Sequence, residues 1–190
     1  MEPKTYIQMK AKHITINEII ENNGYTSYLE VGVANKSNYN LIKCKNKIGI
    51  DPIAKNDKDI ISIDSDGFFA SNTLKFDCIF IDGLHHSEQL EKDIINAYAC
   101  LNNKGRIILH DINPFTKEMT VIPRIQDQWT GDCFKVWAGI IDNTKLKTEY
   151  YKEKYGLGVI VKSLAKPKED MTSHISYETF AENRQKYINE

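Results

Sequence analysis

The chain has 190 residues, 41% of them apolar and 27% charged, with a formal net charge of −1; this is the make-up of one globular domain that can bury about 70% of its unfolded surface without a staple. The charge balance gives no basic field for a nucleic acid partner, and Cys44, Cys78, Cys100 and Cys133 lack CxxC spacing, which reads as reduced packing residues rather than a zinc or disulfide framework. No apolar run reaches the roughly 18 residues of a membrane span, and MEPKTYIQMK has no signal-like apolar core, so the expected location is the cytoplasm.

In chain order the pattern predicts a helix near Ile14 to Asn22, a strand at YLEVGV (Tyr28 to Val33), a short helix from Ser37 to Ile42 and a strand at KIGI (Lys47 to Ile50). A strand DIISI (Asp59 to Ile63), a helical piece from Gly67 to Thr73 and a strand DCIFI (Asp77 to Ile81) follow. The clearest helix comes next, because Leu90, Ile94, Ala97, Tyr98 and Leu101 recur at helical spacing. Glu88 and Glu91 sit in its first turn, Ser87 reads as its cap and Gly105 as its stop. After the strand RIIL (Arg106 to Leu109), Thr116 to Trp129 and Gly131 to Ile141 read as helical, and Lys147 to Lys162 as two strands joined by a turn. AKPKED (Ala165 to Asp170) is a linker ahead of a helix near Tyr177 to Ile188. Residues 1–165 are therefore expected to form the main domain, with 166–190 a linker and a terminal helix packed on it or on a partner. Strands alternating with amphipathic helices predict a doubly wound, Rossmann-like α/β fold, its sheet mainly parallel and seven-stranded with an antiparallel strand at the carboxy-terminal edge.

Ligands of such sheets bind beyond the carboxyl ends of the strands. Each predicted strand ends in candidate groups: Gly32 with Asn35 and Ser37, then Asp51, then Asp64 to Asp66, then Asp82 to His86, then His110 and Asp111. Any one of these is explained by turns and caps; five on one edge point to a site. The first loop, EVGVANKS, has one glycine where a dinucleotide site wants GxGxxG, so it fits a nucleoside without phosphates, and Asp51 stands where an acid accepts both ribose hydroxyls. His86 reads as a cap or a solvent-facing residue, His13 and His174 as surface residues, and Trp129, Trp137 and Phe134 as core aromatics.

The segments YLEVGVANKS, GIDP, DSDGFF, FDCIFIDGLHHSEQLEKDI and GRIILHDINP, with weaker agreement at WTGDCFKVW and YGLGVIV, span residues 28 to 161. In this order and spacing the chain resembles the class I S-adenosylmethionine-dependent methyltransferases, in particular a branch of small bacterial enzymes with a DGxH loop and an HD pair. The resemblance implies that Glu30 and Gly32 hold the methionine moiety, that Asp51 binds the ribose and that Ser65 or Asp66 lies near the adenine. The chain departs from the family at Asn35 and Lys36, where a second glycine commonly stands. In related metal-dependent O-methyltransferases an acid ending the fourth strand and a pair ending the fifth bind magnesium, and the residue three after the first acid is the base. Carried over, the metal ligands are Asp82, His110 and Asp111, and the base is His85. Imidazole suits zinc, iron or manganese better than magnesium, and proton removal by His85 unaided, with Asp82 and Asp111 raising its basicity, stands beside the metal as an alternative. Asn113 is a candidate to orient the acceptor, and WTGDCFKVW falls where the acceptor lid lies in the family.

The resulting expectation is an S-adenosylmethionine-dependent O-methyltransferase acting on a hydroxyl of a small molecule, such as a sugar or sugar-containing metabolite. A nonenzymatic nucleoside binder on the same fold is the alternative, and a nicotinamide-dependent oxidoreductase is disfavoured by the absent glycines. A homo-oligomer is compatible with the sequence.

Overall fold

The computed structural model describes residues 10–54 and 57–188; the stretch read for a signal lies, Lys10 apart, outside them. Seven strands form one sheet in the order β3-β2-β1-β4-β5-β7-β6, built from β1 (Ser27–Val31), β2 (Asn46–Ile50), β3 (Ile60–Ile61), β4 (Phe76–Ile81), β5 (Leu101–Leu109), β6 (Lys147–Tyr151) and β7 (Leu157–Val161). The first five pair in parallel, and β7 runs antiparallel to both β5 and β6. The expected doubly wound sheet is thus formed, with strand order reversing between β1 and β4.

Alternation along the strands divides the core in two. Leu29, Val31, Ile79, Ile81, Ile107 and Leu109 point to the face covered by α3 (Ser87–Cys100) and α4 (Cys133–Asn143), while Tyr28, Cys78, Phe80 and Ile108 point to the face covered by α1 (Lys12–Asn23). Both faces of the parallel strands are therefore dry. The short α2 (Ser65–Ser71) leads back to β4, and its N-terminus is capped by Asp64, whose Oδ1 accepts from the Gly67 amide at 2.8 Å. Phe180 of α5 (Tyr177–Glu182) and Tyr187 of α6 (Arg184–Tyr187) are buried in the same cluster as α3 and α4. The four cysteines are free, three of them buried. Among the described residues no helix is long and apolar enough to cross a membrane.

Three local expectations are corrected. Gly105 does not stop α3, which ends at Cys100; β5 starts at once, since Leu101 already pairs with Phe76, and Gly105 lies inside that strand. Ser87 is the first helical residue rather than the cap, and a carboxylate from far along the chain closes the helix start, Asp132 accepting from the Ser87 amide at 2.6 Å and from its hydroxyl at 2.8 Å. Thr116 to Trp129 holds only a 3₁₀ turn at Lys117–Thr120, because Pro123 has no amide to donate and cannot continue a helix. The helix expected over Gly131 to Ile141 forms as α4.

Candidate active site

A cavity of about 870 Å³ opens beyond the carboxyl ends of β1, β2, β4 and β5, and Glu30, Gly32, Asp51, Ser65, Asp66, Asp82, His85, His110 and Asp111 all line it. Its size is that of a small-molecule site.

At the β1 end, Glu30 is almost fully buried, at 1% exposure, and accepts hydrogen bonds from the Tyr28 hydroxyl at 2.5 Å and the Asn38 amide at 3.0 Å. Burial pushes its carboxyl up to about 7 against those bonds. The other side-chain atom of Asn38, Oδ1, is buried and has no partner. Gly32 adopts φ +85°, and a Cβ there would collide with the Asp82 carbonyl, so the turn lies directly on the end of β4. Ala34 and Lys36 also take left-handed backbone, φ 47° and 64°, in the same loop. Lys36 is anchored there by ion pairs to Asp57 and Asp59, each at 3.0 Å. Asp51 accepts from the Ala34 amide at 2.7 Å through Oδ2 and from the Ile53 amide at 2.9 Å through Oδ1. Each of those oxygens keeps a further lone pair for a ligand hydroxyl. Beyond Asp51, Gln89 Nε2 lies 3.1 Å from Ser65 Oγ and 3.0 Å from both Asp66 Oδ1 and Asp93 Oδ1. Burial pushes the Asp93 carboxyl up to about 6.

At the ends of β4 and β5 two carboxylates and two imidazoles meet. His85 Nε2 lies 3.3 Å from Asp82 Oδ1 and 3.2 Å from Asp111 Oδ2; His110 Nδ1 lies 3.2 Å and 3.1 Å from the same two atoms. The other nitrogen of His110 faces the Lys154 carbonyl at 3.1 Å. A carbonyl only accepts, so Nε2 donates to it, while Nδ1 faces two acids that favour the charged ring. Burial works against that charge, but Asp82 and Asp111 overcome it and push the group up to about 10. His85 is likewise raised, burial being outweighed by the same two acids, while its Nδ1 is buried without a partner. Burial would raise Asp82, yet His110, His85 and Lys12 hold its carboxyl well below the usual range. Both His85 and Asp111 have left-handed backbone, φ 60° and 59°. Non-glycine residues rarely hold that conformation, and it concentrates at functional sites.

The sequence placed the metal on Asp82, His110 and Asp111. Among the described residues, the group whose ligand atoms lie within 4.8 Å of one another is Asp82, His85 and Asp111, and His110 Nδ1 faces the same two acids.

The facing wall comes from segments outside the strand ends. Trp129 is not a core residue: its ring stacks on His85 at 5.3 Å and 24° and lines the cavity, its indole N–H bonded to the Val121 carbonyl at 2.8 Å. Trp137 and Phe134 are core, as expected. Asn113 is buried and does not line the cavity; its side chain bonds Arg184 of α6 and the Tyr150 hydroxyl instead. Lys154 and Tyr155, from the turn between β6 and β7, and Leu84, 58% exposed, complete the mouth. Sequence reasoning missed Lys12, whose ammonium pairs with Asp82, and Asn38 beside Glu30. Lys12 carried no signal, being one charged residue at a helix start, whereas Asn38 sits eight residues beyond Glu30 in the loop already selected.

Solved structures share this architecture. The SAH-bound methyltransferase PaMTH1 of Podospora anserina matches with a TM-score of 0.58 at 14% identity, over 80% of this chain and 78% of that one. The fold is that of the S-adenosylmethionine-dependent methyltransferases. An O-methyltransferase of Bacillus cereus in complex with SAH matches at 0.53 and 12% identity, over 80% of each chain. MycE of the mycinamycin biosynthetic pathway, in complex with Mg, SAH and mycinamycin VI, matches at 0.52 and 13% identity, over 83% of this chain and 50% of that one. No family model and no curated protein matches the sequence.

Proposed function

We propose that the protein is an S-adenosylmethionine-dependent methyltransferase that methylates a hydroxyl of a small, ring-bearing acceptor such as a sugar or sugar-containing metabolite. The observation that carries this is that one cavity holds both a nucleoside-type wall, Glu30, Gly32 and Asp51, and the Asp82, His85 and Asp111 cluster. The similarity of fold to SAH-bound methyltransferases supports the same reading.

The residues present fit the cofactor. Glu30 and the unpartnered Asn38 Oδ1 are acceptors for the ammonium of the amino-acid tail, Asp51 takes the ribose hydroxyls, and Ser65 and Asp66 stand at the adenine end. When bound, S-adenosylmethionine supplies an electrophilic methyl to the acceptor oxygen and leaves as S-adenosylhomocysteine. The acceptor hydroxyl has to lose its proton, and His85 is the group to receive it: two carboxylates raise its basicity and Trp129 fixes its ring plane. Asp82 and Asp111 face the imidazolium that results and stabilise it. Leu84, Trp129 and Tyr155 shield the reacting hydroxyl from bulk water and orient the ring that bears it, and alignment of this kind lowers a barrier by several kcal/mol.

A divalent ion also fits the cluster. Asp82, His85 and Asp111 form a mixed oxygen and nitrogen donor set suited to manganese, iron or zinc, and such an ion would acidify a coordinated acceptor hydroxyl. His110, whose Nδ1 faces the same two acids while the Lys154 carbonyl holds its Nε2, is a further nitrogen donor for such an ion.

The test is direct. S-adenosylhomocysteine at 100 times its dissociation constant should stabilise the purified protein by about 2.7 kcal/mol, and methyl transfer to sugar and phenol acceptors should fall by roughly 100-fold or more in His85→Ala and Asp82→Asn. Methylation undiminished in both variants would refute the site.

A further inference from the structure

The cavity wall carries eight carboxylates against two lysines, Lys12 and Lys154. That imbalance suits the cationic sulfonium and ammonium of the cofactor, but it repels the third charge that the cofactor carries, the carboxylate of its amino-acid tail. The tail's carboxylate calls for one of the cations of this wall, and since both ring nitrogens of His110 already face protein acceptors, the two ammonium groups are the candidates. Lys154 is exposed, sits at the acceptor mouth beside Tyr155, and lays its ammonium over that ring at 4.9 Å. Lys12 is placed differently. It begins α1, on the face of the sheet to which Glu30 and Tyr28 point, and its side chain is 28% exposed. Its ammonium is 5.5 Å from the centre of the Phe80 ring, pairs with Asp82 and feels the charges of Asp111 and Glu30.

We propose that Lys12 binds the carboxylate of the cofactor's amino-acid tail. An ammonium has three N–H donors; one meets Asp82, which leaves two for a ligand on the cavity side. Glu30, Asp82 and Lys12 then form a charge-alternating cradle, with acids for the tail's ammonium and a cation for its carboxylate. Lys12 lies outside every segment that carries the resemblance to methyltransferases, and the inference rests on the reading of this cavity as their cofactor site.

The test is calorimetric titration with two probes, S-adenosylhomocysteine and 5′-methylthioadenosine, which shares the nucleoside and thioether but has no amino-acid tail. Lys12→Met keeps the apolar stem over Phe80 and removes the charge. It should weaken S-adenosylhomocysteine roughly 10- to 100-fold, the range of a charge-assisted hydrogen bond, and leave 5′-methylthioadenosine within about twofold of the native protein; Lys12→Arg should restore most of the loss. Lys12→Gln carries the same test if the methionine variant does not fold. Unchanged affinity for S-adenosylhomocysteine, or equal losses for both probes, overturns the assignment of Lys12 alone. A native protein that binds neither probe overturns the methyltransferase reading as well.

Discussion

The two walls of the cavity are made in different ways. The β-edge wall consists of residues that end strands: Glu30 and Gly32 leave β1, Asp51 leaves β2, Asp82 leaves β4 and Asp111 leaves β5. Glu30 lies within the ladder, and the amides of Gly32, Asp51 and Asp82 still donate to a neighbouring strand. The opposite wall consists of Leu84, Trp129, Lys154 and Tyr155, which arrive from a turn, a loop without regular structure and a hairpin. The contrast teaches a division of labour: the rigid edge suits the constant part of a reaction, the cofactor and the proton transfer, and the looser wall suits the part that varies, the acceptor.

Substitutions should separate the two walls. The largest effect belongs to the cluster: His85→Ala should lower kcat by roughly 10²- to 10⁴-fold, the range of a lost general base, with binding of S-adenosylhomocysteine retained in calorimetry. If cofactor binding fell in parallel, His85 would belong to the cofactor half instead. Asp51→Ala comes next, with affinity for S-adenosylhomocysteine expected to fall roughly tenfold or more as two ribose hydroxyls lose a charged acceptor, while the acceptor KM stays put. Glu30→Gln probes the buried acid through stability. The Glu30 carboxyl is raised from 4.5 to about 7 in the folded chain, so the folded state holds a proton that the unfolded state has released. Stability is therefore lost as pH rises from 4.5 to about 7, by roughly 3 kcal/mol at 1.36 kcal/mol per pK unit. Chemical denaturation at pH 5 and pH 8 should show this slope in the native protein and a reduced slope in Glu30→Gln.

Smaller effects sharpen the same contrast. Because its two acids raise His85 above 6.5, kcat/KM should climb with pH on a limb whose midpoint exceeds 6.5, as the basic form of the ring becomes populated. A limb centred below that value would remove His85 from the role of base. Trp129→Ala should give the mildest change, a several-fold rise in acceptor KM with cofactor affinity unaltered.

The same division governs what could be read from the chain. Asp51, Asp82 and Asp111 were legible because an acid directly after a short apolar strand marks the carboxyl edge, and topology then brings those edges together. Lys12 and Trp129 were not, since their roles depend on how a helix and an irregular loop approach the edge. Trp129 looked like one more core aromatic because composition does not show which aromatic faces a cavity. Gly105 misled for a local reason: a glycine after an amphipathic run resembles a helix stop, yet α3 passes straight into β5. Asp132 could not have been named as the partner of Ser87, 45 residues earlier in sequence, from spacing alone. The single-glycine first loop gave no sign of its backbone, since left-handed positions occur at Ala34 and Lys36 without glycine.

Gly131 has a mechanical consequence. It adopts φ +57°, and a Cβ at that position would strike the carbonyl of His85. The neighbouring Asp132 amide donates to that carbonyl at 3.3 Å while its carboxylate grips Ser87. The segment carrying Trp129 is thus bolted to the main chain of His85 on one side and to the start of α3 on the other. Under the proposed mechanism a displacement of this segment would shift the His85 ring as well, which couples acceptor binding at Trp129 to proton removal.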